Sequence, residues 1–387
     1  MNIASNDPTA RARALGPEIA AAADAIERTQ RIPEPLLAAL HAARLCRLLL
    51  PRSVGGEEVP PWIYLAAVQE ISRHDAAVGW NLFVANSAAL IAPHLPRATA
   101  HTIFADPRAV VAWGPPNGSV ATAVPGGYRV SGEWHFASGS RQATWMGAHC
   151  PVTEPDGRLR PGRAGRPAIR TLLFPAEAAE RIADWDVTGL RGTASEGYRV
   201  HDLFVPEAFS ATREEPEART EPGRLYAFPM QGLYAVGVAG VACEIARAML
   251  DGFVALATAK TPRGLERLAD SATVQAALAR HEAALGAAQA YLVAVLREVW
   301  DAAPETGAID LAARARVRLA CSHAIAIAIA AGDHAHHAAG VDAIFPGTVF
   351  ERRFRDLHTL SQQIQAREAH FAAVGAVLLG AVPEVFF

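Results

Sequence analysis

The sequence is poor in cysteine and in lysine. It has 4 cysteines among 387 residues, far apart and without a CxxC pair, which excludes a disulfide framework and a zinc knuckle. Lys260 is the single lysine, and the formal net charge is −3. A chain with this charge has no basic field for nucleic acid or for an anionic membrane, so we expect neither as a partner.

Motifs of common nucleotide and hydrolase sites are also missing. There is no GxG tripeptide, no Gly-Lys pair and no GxSxG, which argues against a Rossmann dehydrogenase, a P-loop enzyme and a serine hydrolase. The longest apolar runs, 232–243 and 371–382, are shorter than the ~18 residues of a membrane span. Because the first residues also lack the apolar core of a secretory signal, we expect a soluble cytoplasmic protein.

The residues that are present change character twice along the chain. Residues 1–105 are rich in alanine and carry helical periodicity, whereas residues 106–211 alternate and are broken by Gly and Pro at short intervals. Residues 222–387 return to long apolar helical patterns. This order predicts an N-terminal helical domain, a central antiparallel β-barrel or sandwich, and a C-terminal helical bundle.

Two clusters invite a functional interpretation. On a helix, His334 and His337 share a face while His336 points elsewhere, so residues 333–337 lack a third ligand and we expect no metal site. Aromatic residues in the β segment, interleaved with Gly, Ser and Thr, suit a planar heteroaromatic cofactor, although they also suit a core. They are Trp113, Trp134, Phe136, Trp145 and Trp185.

Four stretches in this order resemble the acyl-CoA dehydrogenase family. They are LPRSVGG at 50–56; AWGPPNGS at 112–119 with EWHFASG at 133–139; DWDVTGLRGTAS at 184–195 with FVP at 204–206; and FERRFRD at 350–356. The resemblance spans nearly the whole chain. It implies an α+β multidomain fold with an N-terminal helical domain, a central antiparallel β-barrel domain and a C-terminal four-helix bundle.

The resemblance also implies a flavin, FMN or FAD, between the β domain and the bundle. Ser138 matches the hydroxyl residue beside the flavin N5 edge, and Trp113 and Phe136 would wall its ring. Arg263 and Gln275 resemble residues that the family uses toward the phosphates, in part across a subunit interface, whereas residues 337–340 stand where the family has Q-x-x-G-G and keep only one glycine. The implied cofactor contacts are Trp113, Asn117, Phe136, Ser138, Arg263, Gln275, His337 and Gly340.

An acyl-CoA dehydrogenase needs a carboxylate base, and the expected positions lack one. The usual Glu falls at Ile364, and the alternative base falls near Tyr234. Glu351, Asp356 and Glu368 lie off these positions. Removal of an α-proton without a base is slow, so ordinary acyl-CoA dehydrogenation is disfavoured.

The sequence is more similar to the two-component flavin-dependent monooxygenases of the same fold. RDLHTLSQQ at 355–363 resembles their R-D-x-x-x-x-S-Q-H stretch, and DAAVGW at 75–80 fits their D-x-x-x-(G/A)-W pattern. The catalytic His of that branch falls at Gln363, with His358 the nearest imidazole. The resemblance therefore implies Ser138, His358 and Gln363 as catalytic residues, and Asn86, Tyr234 and Gln363 as substrate contacts.

These observations predict a monooxygenase that takes reduced flavin from a separate reductase. It would oxygenate a small organic substrate through a C4a-(hydro)peroxide and assemble as a homotetramer, as the resemblance implies. The alternatives are an acyl-CoA dehydrogenase-like desaturase and a non-catalytic binding or scaffold protein with the same fold. Ser138→Ala is expected to shorten the life of the flavin adduct by about one order of magnitude or less, with folding nearly untouched.

Overall fold

The computed structural model describes residues 6–115, 117–162, 165–212, 215 and 218–383. The predicted domain limits at residues 1 and 387, and Pro116 of the second motif, lie outside these ranges. The N-terminal part is helical, as predicted. Its helices are α1 (Pro8–Ala14), α2 (Gly16–Thr29), α3 (Glu34–Ala42), α4 (Pro61–His74), α5 (Ala76–Ala89) and α6 (Arg97–Phe104).

Helix α5 is the centre of this part because every one of its 14 residues is buried. Its sequence is apolar around the whole circumference, which suits a helix surrounded by protein rather than a surface helix. Asp75 caps its start by accepting a hydrogen bond from the backbone N–H of Val78 at 2.9 Å. The start of α5 is thereby fixed, and Trp80 and Asn81 in the next turn point toward the strands.

The central part is a mainly antiparallel sheet. The strands are β1 (Val111–Trp113), β2 (Val120–Val124), β3 (Gly127–Ala137), β4 (Trp145–Thr153), β5 (Ile169–Pro175), β6 (Glu180–Ile182), β7 (Glu196–Pro206) and β8 (Ser210–Ala211). Their order in the sheet is β6-β7-β3-β2-β4-β5-β8, with β1 beside β4. Two pairings, β1 with β4 and β2 with β4, are parallel, so the sheet is mixed and not all-antiparallel as predicted.

The C-terminal part holds three long helices and two short ones. Helix α7 packs against α4, α5 and α9, so the bundle and the N-terminal helices share one core. Gly237 of α7 permits this contact, because a Cβ there would lie 2.6 Å from the ring of Phe83. The helices are α7 (Met230–Ala259), α8 (Ala272–Ala302), α9 (Leu311–Ala339), α10 (Val349–Ser361) and α11 (Ala369–Leu378).

Three helical segments are long and apolar enough to cross a membrane, by length and composition alone. They are Ala76–His94, Met230–Ala259 and Leu311–Ile344. The lengths of the unbroken apolar runs in the sequence had predicted no such segment. Within the folded chain, 100%, 83% and 61% of their apolar windows are buried. Their apolar surface is therefore largely used in packing against the rest of the protein.

A short loop joins the sheet to the bundle. The backbone N–H of Leu190 donates to Oδ1 of buried Asp356 at 2.6 Å. Gly189 lies so close to α10 that a Cβ would come within 2.1 Å of the carbonyl oxygen of Arg355. This contact fixes the loop that follows Trp185 and so positions one wall of the cavity described next.

Candidate active site

Phe136 stands on a bulge of the sheet. The pairing of β3 with β7 shifts register between Trp134 and Ala137, and Phe136 adopts a φ of +60°. Side chains other than Gly rarely adopt this left-handed conformation, and a bulge commonly re-aims a side chain beside a functional site. Phe136 is 64% exposed, which is unusual for a large aromatic residue. Backbone strain and exposure together mark Phe136 as a binding surface.

The ring of Phe136 faces a cavity of about 380 Å³. Trp185 meets it edge-on, with the ring centroids 6.3 Å apart. On the same wall, Nδ1 of His135 lies 2.6 Å from Oδ2 of Asp184. Burial raises the pKa of Asp184, but the hydrogen bonds from His135 and from the backbone of Gly197 hold it below its ordinary value. The lining residues are Pro115, Asn117, His135, Phe136, Asp184, Trp185, Val187 and Ser195.

Ser138 lies behind this wall in a chain of buried hydroxyls. Its Oγ accepts from Nε1 of Trp80 at 3.0 Å and shares a 2.6 Å hydrogen bond with Oγ of Ser195. Ser195 is in turn 2.8 Å from Oγ1 of Thr193, which donates to the carbonyl of Leu190. Because the two ends of the chain are fixed, each hydroxyl donates to the next, and Ser138 directs its proton to Ser195.

Ser138 was predicted from the sequence as a site residue, whereas Ser195 was not. Of the two, Ser195 lines the cavity. Ser195 is the last residue of GLRGTAS, a stretch that resembles the family, and this position was the one sequence signal that could have singled it out. His135 and Asp184 were also missed, although each stands directly beside a tryptophan of the matched stretches. The cavity wall therefore contains a hydroxyl and a His–Asp pair that the sequence pattern did not single out.

The geometry corrects the expectation that Ser138→Ala leaves folding untouched. The substitution removes the acceptor of the buried Trp80 N–H and the donor to Ser195. A buried polar group without a partner costs about 1–3 kcal/mol. We therefore expect Ser138→Ala to lower the free energy of unfolding by about 1–3 kcal/mol in a urea titration. In turnover, it should raise the fraction of consumed oxygen that is released as hydrogen peroxide.

Ser140→Ala is the matched control for that substitution. Ser140 is equally buried, but its Oγ only donates to the carbonyl of Ala194, at 3.3 Å. This variant should lose stability without releasing more hydrogen peroxide. If both variants release the same amount as the wild type, Ser138 has no role in the cavity.

The predicted substrate side is reached through a row of aromatic contacts. Trp80 packs edge-on against Phe83 at 4.8 Å, and Phe83 packs edge-on against Tyr234 at 5.0 Å. A side-chain hydrogen bond joins Tyr234 to Gln363, and burial raises the pKa of Tyr234 above its ordinary value. The structure therefore brings Ser138, Tyr234 and Gln363 into one connected region, between α5, α7 and the end of α10.

Asn86, which was predicted as a substrate contact, has different surroundings. Oδ1 of Asn86 accepts from the backbone N–H groups of Leu48 and Leu49, and its Nδ2 donates to the carbonyls of Leu45 and Leu82. With every amide group engaged and the side chain buried, Asn86 fastens a loop and is not available to a substrate, which corrects that prediction.

His358 and Trp113 are also engaged elsewhere. Nε2 of His358 lies 2.8 Å from Oδ1 of Asp333, on the side of α10 that faces α9. Trp113 packs against His149 at 4.9 Å and is not among the residues that line the cavity. A catalytic role for His358 and a flavin contact from Trp113 remain predictions.

The predicted phosphate-side residues lie on the bundle, away from the cavity lining. Arg263 is exposed in the connection between α7 and α8, and Gln275 donates from Nε2 to the carbonyl of Ala269 at 2.8 Å. His337 is exposed in the last turn of α9, and Gly340 ends that helix with a φ of +64°. Lys260 fixes this end, because its Nζ donates to the carbonyl of Ala339 at 2.9 Å. These contacts remain predictions.

No carboxylate stands where a dehydrogenase would need one. Ile364 is an exposed aliphatic residue, and Tyr234 is hydrogen-bonded to Gln363. Of the nearby acids, Glu351 pairs with Arg355 at 2.6 Å, and Asp356 accepts from the backbone of Leu190. Both are occupied by structural contacts, so neither is placed as a free base.

Comparison with known families identifies the fold. Residues 10–98 match the acyl-CoA dehydrogenase N-terminal domain, and residues 236–368 match an acyl-CoA dehydrogenase C-terminal domain. The two matches together cover more than half of the chain. The chain belongs to the acyl-CoA dehydrogenase family. The predicted acyl-CoA dehydrogenase-like fold is therefore confirmed.

Relatives within the family include monooxygenases. Indole-3-acetate monooxygenase of Pseudomonas putida is 27% identical over 97% of this chain and 96% of its own. The oxygenase subunit HsaA of a flavin-dependent monooxygenase from Rhodococcus jostii is 26% identical over 90% of this chain and 91% of its own. Among solved structures, XiaF from a Streptomyces species, in complex with FADH2 and glycerol, superposes with a TM-score of 0.89 at 24% identity. That structure covers 98% of this chain and 96% of its own.

The cavity suits the ring system of the flavin that this acyl-CoA dehydrogenase-family fold carries. Phe136 and Trp185 offer apolar faces, and Asn117 and Ser195 offer polar atoms at the edge. The strained conformation of Phe136 turns its ring outward, as contact with a planar ligand requires. The residues present therefore fit a flavin at this site.

Proposed function

We propose that the protein is the oxygenase component of a two-component monooxygenase that uses reduced flavin and acts on a small aromatic substrate. A separate flavin reductase supplies the cofactor, FMN or FAD. The observation that carries the proposal is the combination of an aromatic and hydroxyl-lined cavity with Ile364 and Tyr234 at the two positions where a dehydrogenase of this family has its carboxylate base. The relatives named as monooxygenases support it.

When bound, reduced flavin supplies the electrons that activate dioxygen for transfer of one oxygen atom to the substrate. Phe136 and Trp185 hold the ring system and keep water from it. The hydroxyl chain of Ser138, Ser195 and Thr193 holds protons beside the ring edge. Because Ser195 lines the cavity, its hydroxyl is the group of that chain that would contact a bound flavin, while Ser138 sets the orientation of this hydroxyl.

Tyr234 and Gln363 orient the substrate. The Gln363 amide cannot act as a base at neutral pH, but it can hold a substrate hydroxyl or carbonyl by hydrogen bonds. The aromatic row of Trp80, Phe83 and Tyr234 provides edges and faces against which an aromatic ring packs. A substrate that needs no strong base for its oxygenation fits this arrangement best.

We expect reduced flavin to bind at least tenfold more tightly than oxidised flavin. An oxygenase that receives its cofactor by diffusion must capture the reduced form. The sequence supports this expectation because it keeps few of the family's phosphate contacts. His337 and the single Gly340 stand where the family has a glutamine and two glycines. Anaerobic titration of both forms measures the ratio. Equal affinities, or a protein that purifies with tightly bound oxidised flavin, would contradict the two-component reading.

We also propose that the protein is a homotetramer in which neighbouring subunits help to enclose each flavin. Large apolar side chains are exposed around the end of α9 and the α7–α8 connection, close to the predicted phosphate contacts. They are Leu265 at 68%, Val341 at 68%, Ile344 at 66% and Phe345 at 57% exposure. Because this apolar patch lies beside a cofactor that the subunits would share, we propose that a second copy of the chain covers it.

Light scattering at micromolar concentration should give about four times the 41.0 kDa of one chain. Phe345→Asp should lower this mass, since a charge in an apolar interface is costly to bury. Leu159→Asp, at an exposed leucine of the β part, is the control and should leave it unchanged. A monomeric wild type would contradict the proposal.

A further inference from the structure

Arg318 is a buried cation that has no acidic partner among the residues the structure describes. Its side chain lies on α9 and is 1% exposed. Burial lowers its pKa, and the neighbouring Cys321 is a buried thiol whose own pKa burial raises to about 12, so Cys321 is uncharged at neutral pH. A buried charge without an opposite charge is strongly destabilising, so a protein rarely keeps one without a use.

Neutral amides surround the guanidinium. Nη1 donates to Oε1 of Gln365, and Nη2 donates to the carbonyl of Gln231 at 3.4 Å. Nε is buried and has no hydrogen-bond partner. Gln365 in turn donates from Nε2 to Oε1 of Gln231 at 3.3 Å. The guanidinium thus keeps unused hydrogen-bonding capacity, and an uncharged oxygen occupies one of its strongest donor positions.

The positive field reaches beyond this cluster. Burial lowers the pKa of His370, and the charge of Arg318 lowers it further. His370 lies at the turn that carries Gln365, because its Nε2 is 2.8 Å from the carbonyl of Ile364. An unopposed positive charge of this kind attracts an anion rather than a second cation.

The cluster adjoins the substrate side of the proposed site. The backbone N–H of Gln365 donates to Oε1 of Gln363 at 2.6 Å, and Gln363 is hydrogen-bonded to Tyr234. Gln231 lies one helical turn before Tyr234 on α7, so the two share a face. The aromatic row that begins at Trp80 therefore leads through Tyr234 and Gln363 to Arg318.

We propose that Arg318 binds the carboxylate of an aromatic acid substrate, with the Gln365 amide occupying that position in the free enzyme. This inference rests on the proposed monooxygenase function. A guanidinium offers parallel N–H donors that match a carboxylate, and a carboxylate is compact enough to replace an amide of similar shape. The aromatic part of the substrate then lies along Phe83 and Tyr234, toward the flavin cavity. No covalent step is involved.

Two probes of nearly equal shape test the assignment: indole-3-acetate and indole-3-acetamide. Each is titrated by calorimetry into the protein that carries reduced flavin, without oxygen. The wild type should bind the acid at least tenfold more tightly than the amide. Arg318→Met should remove this preference. Arg316→Met, at an exposed arginine of the same helix that pairs with Glu298, should retain it.

Gln365→Glu keeps the test independent of any folding defect in the Arg318 variant. A glutamate at this position supplies the missing negative charge. It should therefore raise the midpoint of thermal unfolding by several degrees and weaken binding of the acid at least tenfold, while the amide binds within threefold of its wild-type affinity. A structural role of Arg318 alone would give the gain in stability without the change in ligand preference.

Three results would overturn the inference. They are equal affinities of the wild type for acid and amide, an acid preference that persists in both variants, and no binding of either probe at millimolar concentration. Turnover with oxygen is measured on the same samples. Absence of any oxygenated product would contradict the proposed function, whereas product from both probes without a preference would contradict only the assignment of Arg318.

Discussion

Phe136→Gly is expected to weaken the binding of reduced flavin by about 30- to 150-fold while leaving the fold equally or more stable. The ring that is lost is exposed in the free protein, so its removal forfeits little packing. Stacking on the cofactor and the burial that accompanies it contribute about 2–3 kcal/mol. Glycine also accepts the φ of +60° without strain, which offsets its larger conformational entropy in the unfolded chain. Anaerobic titration and urea unfolding measure the two effects.

Asp202→Gly serves as the control for that substitution. Asp202 has a φ of +48°, lies near the far end of β7 and is not among the residues that line the cavity. Relief of the same kind of backbone strain there should leave flavin affinity unchanged. If Phe136→Gly keeps the wild-type affinity, the cavity beside Phe136 is not the flavin site.

Asp356→Asn is expected to make the stability of the protein less dependent on pH. Burial raises the pKa of Asp356 from 3.8 to about 7, and this exceeds the opposing effects of the Leu190 hydrogen bond and of Arg353. A group whose pKa is higher in the folded state stabilises it fully below pH ~4, and this contribution is lost as pH rises toward 7. The loss amounts to about 2–4 kcal/mol. Asparagine keeps an oxygen acceptor for the Leu190 N–H and cannot ionise.

Urea unfolding of the two proteins between pH 4 and pH 8 provides the measurement. Because other groups titrate equally in both, the difference between the two curves isolates Asp356. As pH rises, the free energy of unfolding of the variant should increase relative to that of the wild type. At pH 8 the variant should be the more stable protein. If the stability of the wild type instead increases relative to that of the variant as pH rises, Asp356 is ionised in the folded protein and stabilised by Arg353.

The fold and the region of the site could be predicted because short stretches of the chain carry them. Gly189 and Phe136 lie in motifs whose spacing matches the acyl-CoA dehydrogenase family. A glycine is needed at position 189 because the backbone there lies too close to Arg355 for a Cβ atom. The helical character of the N-terminal and C-terminal parts followed from their periodicity. Both kinds of signal are local in sequence.

The features that were missed depend on contacts between residues far apart in sequence. Asn86 is occupied by backbone groups of a loop almost 40 residues earlier, which no pattern around Asn86 reveals. The engagement of His358 by Asp333 depends on how α9 and α10 pack. Arg318 appears in the sequence as one of many arginines, and only its burial among Gln231 and Gln365 distinguishes it.

The most direct test of the account is a single-turnover experiment with isotopically labelled oxygen. The purified protein is loaded with reduced flavin and, without oxygen, with an aromatic compound that it binds; it is then mixed with ¹⁸O₂, and the product is analysed by mass spectrometry. A two-component monooxygenase gives an oxygenated product with one atom of ¹⁸O per molecule, and it needs no coenzyme A thioester. Reduction of oxidised flavin by an acyl-CoA, with no incorporation of ¹⁸O into any aromatic substrate, would contradict the proposed function.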